Sequence, residues 1–147
     1  MKARFHYYEL RSHYGHPPSL RLGSVMTGGT PEKIASFNNV LLSAIDTDMP
    51  AYSTRHVDSV LAEVEKVEAG EHDEYQYEGQ GFMHHITRER VRFEHSVFGE
   101  CPEWPIWCCT LAQYKAALQG YRRFLDMPKS IDSELIIDLP DGEARCD

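Results

Sequence analysis

Apolar residues recur every three or four positions in three stretches of the chain, which predicts three amphipathic helices. The first helix begins after Thr30, a candidate N-cap residue, and its apolar stripe ends at "DTDMP", Asp46–Pro50. The second helix begins near Ser53 or Thr54 and runs to about Glu68. A glycine follows that end at the position where helices commonly stop, so both boundaries of the second helix are marked in the sequence.

The third helix has the clearest start. Thr110 and Gln113 form a capping box, in which each side chain can bond the backbone N–H of the other residue. An apolar stripe continues to Leu125, and Met127-Pro128 ends the helix. Gly120 lies in the middle and costs about 1 kcal/mol relative to alanine, so we expect a close approach to a sheet there.

Alternation of apolar and polar residues predicts strands elsewhere in the chain. The predicted strands are Arg4–Ser12, Glu74–Glu78, Gly81–Thr87, Val91–Val97, Trp107–Cys109 and a last one around Leu135–Ile137, with a further short strand at Leu20–Leu22. Short connections between the central strands favour antiparallel pairing. The prediction is therefore one α+β domain over residues 1–147, in which three helices cover one face of a mostly antiparallel sheet of five or six strands.

Length and composition agree with this prediction. A chain of 147 residues with 41% hydrophobic residues can bury a core as one domain. No apolar run reaches the roughly 20 residues that span a bilayer, and the N-terminus lacks the apolar stretch of a signal peptide. We therefore expect a cytoplasmic protein without a membrane partner, whose four cysteines stay reduced. A monomer is favoured.

The charge of the chain is concentrated in one segment. Residues 58–78 carry eight acidic residues and one basic residue, a net of −7, whereas the whole chain has a net charge of −8. The acidic character argues against direct binding of nucleic acid and suits a basic protein partner. A solvated surface and a metal site are the other two interpretations of such a segment.

A docking surface is favoured by where the acids lie. Glu65, Glu68 and Glu71 lie in or just past the last turns of the second helix, where each exposed acid costs about 0.3–1 kcal/mol against the helix dipole. Tyrosines, which often dominate binding energy, alternate with the acids that follow. The predicted partner-binding residues are Glu65, Glu68, Glu71, Asp73, Glu74, Tyr75, Tyr77, Glu78 and Trp104, the last in an irregular loop.

Motifs for catalysis, metal binding and cofactor binding are missing from the sequence. There is no GxSxG elbow, no CxxC pair and no phosphate-binding glycine motif with a lysine. His84 and His85 are adjacent in a predicted strand and should face opposite sides. If the hairpin turn is centred on Arg88-Glu89, His84 lies opposite Phe93, whereas a slip of two residues would pair it with His95. We expect no enzyme, no resident metal and no cofactor.

The stretch "WCCTLAQYKAALQGYRRFLDMP" followed by "SELIIDLPDG", within residues 107–142, resembles the C-terminal helix–strand unit of several immunity proteins. These proteins belong to bacterial contact-dependent growth inhibition and related polymorphic toxin systems. The resemblance concerns the general build, covers about a quarter of the chain and matches no diagnostic motif. It implies a cytoplasmic protein that binds and neutralises one cognate toxin domain, often a basic nuclease.

Two other classes of function remain open from the sequence. The first is a small enzyme or ligand-binding protein that uses a sheet-face cluster of His84, His85 or His95. The second is a non-catalytic subunit of a larger complex.

Overall fold

Three helices form where the apolar spacing predicts them. The computed structural model describes residues 1–147, and its first helix, α1, covers residues 31–48. This helix is α-helical at Pro31–Ser36 and Ser43–Asp48 and π-helical between them, at Phe37–Leu42. The other two are α2, Arg55–Ala69, and α3, Leu111–Leu125.

The helix ends follow the residues that predicted them. The Thr30 hydroxyl accepts a hydrogen bond from the Lys33 N–H at the start of α1. Both bonds of the Thr110–Gln113 capping box are present at the start of α3. Gly70 ends α2 with a φ of 81°, a left-handed conformation that glycine adopts without steric cost.

Seven strands form two antiparallel sheets. The strands are β1 Lys2–Leu10, β2 Ser19–Thr27, β3 Glu74–Glu78, β4 Phe82–Thr87, β5 Val91–His95, β6 Trp107–Cys109 and β7 Glu134–Asp138. The three-stranded sheet has the order β2-β1-β7, and the four-stranded sheet has the order β3-β4-β5-β6. The α+β class is thus confirmed.

The prediction of a single sheet is wrong. β1 pairs with β7 from the far end of the chain, and residue patterns do not report such distant partners. β2 is also much longer than the short strand expected at Leu20–Leu22. Its glycine and serine residues obscure the strand pattern in the sequence, although all nine residues of β2 are in register with β1.

Helix α3 packs against both sheets. Its Tyr114 ring lies 5.8 Å from the Phe93 ring of the four-stranded sheet, measured between centroids. Its Tyr121 ring lies 5.9 Å from the Phe5 ring of the three-stranded sheet. A Cβ at Gly120 would come within 2.6 Å of the Ile137 side chain in β7, which confirms the predicted close approach of helix and sheet.

The cysteines differ from the expectation that all four stay reduced. Cys108 in β6 and Cys146 near the C-terminus form a disulfide with a Cα–Cα distance of 5.6 Å, while Cys101 and Cys109 are free. Sequence spacing does not reveal this pair, because only the fold brings the C-terminal residues beside β6. No helix is both long and apolar enough to cross a membrane.

Candidate functional site

The acidic segment follows the surface from the end of α2 to the end of β3. All six of its predicted partner-binding acids are exposed: Glu65, Glu68, Glu71, Asp73, Glu74 and Glu78. The side chains of β3 alternate, so that Glu74, Gln76 and Glu78 face solvent. The segment is therefore a strip of exposed carboxylates that turns from a helix onto the outer face of a sheet.

Two of these six acids are paired within the chain. Glu68 accepts a 2.6 Å hydrogen bond from Lys115 Nζ of α3, and the Glu74 carboxylate lies 2.8 Å from His85 Nε2 of β4. The other four have no cationic group within 4.0 Å, and they are Glu65, Glu71, Asp73 and Glu78. Most of the strip thus presents carboxylates whose charge no ion pair within the chain neutralises.

The end of α2 is less unfavourable than the sequence indicates. The guanidinium of Arg88, from the turn between β4 and β5, would lie 3.0 Å from a Cβ placed on Gly70. A cation there interacts favourably with the C-terminal end of the helix dipole. Arg88 thus offsets part of the cost of the acids, and it forms a basic border at one side of the strip.

Tyr75 and Tyr77 point inwards from β3. Both are half-buried and pack against the hydrophobic core. The Tyr77 hydroxyl donates a 2.9 Å hydrogen bond to the carbonyl of Asp48. Desolvation by burial raises the pKa of Tyr77, which keeps this hydroxyl protonated as a donor. The two tyrosines therefore hold β3 against the core and leave the exposed face of the strip to the acids.

Trp104 belongs to an aromatic corner formed by His95, Phe98 and Trp104. The His95 ring lies 5.0 Å from the Phe98 ring and 4.9 Å from the Trp104 ring, measured between centroids. Trp104 is half-buried, whereas Phe98 is 68% exposed and the adjacent Val97 is 74% exposed. Two large apolar side chains are thus exposed to solvent beside a tryptophan, an arrangement typical of protein–protein contact sites.

The aromatic corner adjoins the acidic strip. The Ser96 hydroxyl donates a 2.9 Å hydrogen bond to the carbonyl of Gly79, the residue that follows Glu78. The Ser96 N–H also donates to the carbonyl of Gly81 at 3.0 Å. These bonds tie the end of β5 to the β3–β4 turn. The sequence singles out Trp104 but not Val97 and Phe98, although two apolar residues before a glycine can indicate an exposed turn.

A buried polar network lies beneath the four-stranded sheet. His84 in β4 and Asp48 at the end of α1 have fully buried side chains, and His84 Nε2 lies 2.7 Å from Asp48 Oδ2. Asp48 also accepts hydrogen bonds from the N–H groups of Gly81 at 2.7 Å and Phe82 at 3.2 Å. His84 Nδ1 lies 2.8 Å from the Tyr114 hydroxyl, whose pKa burial raises well above its ordinary value.

Hydrogen bonds within the network satisfy the side-chain polar groups of Asp48, His84 and Tyr114. With Tyr114 protonated as the donor to Nδ1, the Nε2–H of His84 donates to Asp48. A Cβ on Gly79 would overlap the Asp48 carboxylate at 2.1 Å, so the turn approaches the carboxylate closely. The network therefore locks α1, the β3–β4 turn and α3 together. The sequence marks Asp48 only as part of the helix end at Asp46–Pro50 and gives no sign of its buried partners.

The sheet-face histidine cluster does not form. His84 faces the core while His85 faces solvent, and His84 pairs with Phe93, in the register expected for a turn at Arg88-Glu89. His95 pairs with Phe82 and joins the aromatic corner. No group of three or more histidine, cysteine or acidic side chains is arranged to hold a metal ion.

Comparisons of the chain with models of protein families, with curated proteins and with solved structures found no match.

Proposed function

We propose that this protein is an immunity protein that binds and neutralises a cognate, basic toxin domain. The observation that carries the proposal is the group of four exposed carboxylates without an ion pair: Glu65, Glu71, Asp73 and Glu78. Nuclease toxins carry cationic clefts for phosphate groups, and unpaired carboxylates can occupy such a cleft or cross its entrance.

The arrangement of charge and apolar surface supports protein docking. The strip ends beside the aromatic corner, so carboxylates adjoin Val97, Phe98 and Trp104. Interfaces commonly combine an aromatic anchor with a polar rim, and the charged rim accelerates association and fixes orientation. The proposed interface is therefore centred on Phe98 and Trp104, with Glu71, Asp73 and Glu78 along its rim.

The paired acids and the tyrosines have secondary parts in this proposal. Glu68 and Glu74 are held by Lys115 and His85 and would have to exchange these partners for toxin groups. Tyr77 stabilises β3 through its bond to the Asp48 carbonyl. Substitution of Tyr77 is thus expected to affect folding as well as binding, so it is a poor probe of the interface.

Reversing the three rim charges tests the proposal. We expect the variant Glu71→Lys, Asp73→Lys, Glu78→Lys to fold normally and to associate with the toxin about 10–100-fold more slowly, with a flattened dependence on salt. The binding partner in the experiment is a catalytically inactive toxin domain, sought in the gene immediately upstream because immunity genes usually follow the genes of their toxins. Stopped-flow association at several salt concentrations gives the rates, and growth of toxin-expressing cells reports protection.

A matched control separates local charge from net charge. Three other acids, Asp132, Asp141 and Asp147, are exposed and also have no ion pair. Replacing all three by lysine changes the net charge by +6, the same amount as in the rim variant. This control variant should associate and protect like the parent protein. Equal rates for the rim variant, the control variant and the parent would show that the strip is only a solvated surface.

A further inference from the structure

The outer edge of β2 presents backbone groups without partners. The Met26 N–H donates a 2.8 Å hydrogen bond to Asn38 Oδ1 of α1, so the Met26 backbone points away from β1. Alternate residues of an antiparallel strand point the same way, which places the N–H and C=O groups of Leu20, Leu22 and Ser24 on this edge. No other part of the chain bonds to them.

This free edge has defined ends. Pro17-Pro18 precedes it and cannot continue a hydrogen-bonded strand, because proline lacks an N–H. At the other end, Asn38 occupies the edge at Met26. A strand that pairs with β2 must therefore align along residues 19–25.

The edge of β2 lacks the protection that the other sheet edges have. Edge strands normally avoid association through charged side chains or short length. β3 carries Glu74 and Glu78, β7 carries Glu134 and Asp138, and β6 has three residues. β2 has nine residues, contains no proline and carries Arg21 as its sole charge. An uncovered edge of this kind is an aggregation hazard unless another strand covers it.

Two adjoining grooves, which share Leu22 and Asp46, lie along this edge and could receive side chains of a pairing strand. One groove, of about 600 Å³, is mostly apolar and is lined in part by Leu20, Leu22 and Tyr52. Tyr52 is 81% exposed, so a large apolar side chain that forms part of this groove is open to solvent. The second groove, of about 420 Å³, contains Gly23 and Asp46.

We propose that β2 pairs with β2 of a second copy of this chain, antiparallel about a two-fold axis at Leu22. In this register Leu22 faces its own copy, and Leu20 faces Ser24 of the other chain. The three outward residues form three hydrogen-bonded pairs with two bonds each, or about six bonds in all. The two three-stranded sheets become one continuous sheet of six strands.

Charge complementarity supports a second copy as the partner. Arg21 and Asp46 line the same groove of the single chain, but neither has an ion pair within 4.0 Å. The proposed register places Arg21 opposite Gly23 of the other chain, and Gly23 lines a groove together with Asp46. Desolvation by burial raises the pKa of Asp46, so a nearby cation would stabilise the charged form of this carboxylate. The two-fold axis repeats the pair, which gives two such contacts.

The inference changes the expected oligomeric state. The sequence leaves the oligomeric state open and favours a monomer, and β2 is not visible in it as a long strand. The β2 edge and the proposed docking surface consist of different residues, so the result of one test does not depend on the result of the other.

Cysteine cross-linking tests the register. In a Cys101→Ser background, Leu22→Cys should form an intermolecular disulfide under mild oxidation, since the paired Cα atoms lie about 5.5 Å apart on the axis. Leu20→Cys is the matched control and should not link to itself, because the two copies of this residue lie about 14 Å apart along the strands. An equimolar mixture of Leu20→Cys and Ser24→Cys should cross-link. Non-reducing gels of the purified protein report all three results.

Sedimentation equilibrium of the parent protein tests the dimer itself. We expect a dimer between about 10 and 500 µM, dissociation by Arg21→Asp, and restored dimerisation in the double variant Arg21→Asp, Asp46→Arg. Ile136→Lys, on the opposite edge of the same sheet, should leave the dimer intact. A parent protein that stays monomeric throughout overturns the proposal. So does a dimer that Ile136→Lys dissociates, or one in which Leu22→Cys fails to cross-link.

Discussion

Replacing Asp48 by alanine is expected to lower the free energy of unfolding by about 3–5 kcal/mol, because it leaves three hydrogen-bond donors without their acceptor at a buried position. Asp48 accepts hydrogen bonds from His84, Gly81 and Phe82, and all three donors lie at buried or half-buried residues. Without the carboxylate these donors lose their partner at a buried position, and each unsatisfied group adds to the cost. Urea unfolding followed by tryptophan fluorescence measures the change.

Two further variants show whether the network is the cause. Asp132→Ala removes an exposed carboxylate without an ion pair and should change stability by less than about 0.5 kcal/mol. Tyr114→Phe removes only the hydroxyl that bonds His84 and should cost about 1–3 kcal/mol. If Asp48→Ala unfolds at the same urea concentration as the parent, the network does not stabilise the fold.

Cys146→Ser is expected to lower the free energy of unfolding by about 4 kcal/mol. The disulfide joins residues separated by 38 positions, and closing a loop of that size restricts the unfolded chain by about this amount in the chain-entropy model. Native contacts should survive, because Gln113 Nε2 independently donates to the carbonyls of Pro140 and Gly142 at 3.1 and 2.9 Å. Unfolding of the variant and of the parent, with and without reductant, measures the effect.

Controls connect this result to the Cys108–Cys146 bond. Cys101→Ser removes a free thiol and should leave the response to reductant unchanged. The unfolded, unreduced parent protein should show two reactive thiols of its four cysteines. Four reactive thiols, or a parent protein whose stability does not respond to reductant, would show that the disulfide does not form in solution.

The sequence predicts local structure here because the local signals are strong. Thr110 and Gln113 mark the start of α3 through bonds only three residues apart, and Gly70 marks the end of α2. The register of β4 and β5 also follows from their short connection. Each of these features depends on residues that are close together along the chain.

The features that the sequence misses depend on residues far apart. Asp48 and His84 are separated by 36 positions, and neither residue has a neighbour that reveals the other. Cys108 and Cys146 meet only after β7 has placed the C-terminal residues beside β6. The exposed acids were found because charge density is a local property, whereas the inward direction of Tyr77 depends on a contact with α1.

The pairing of β1 with β7 has a consequence for synthesis on the ribosome. β1 emerges long before one of its two strand partners, which begins at Glu134. The meander of β3, β4 and β5 ends at His95, well before β7 begins, so it can fold while β7 is still inside the exit tunnel. The β1 edge of the N-terminal hairpin therefore stays uncovered until β7 emerges, and a chain truncated before Glu134 would keep that edge open permanently.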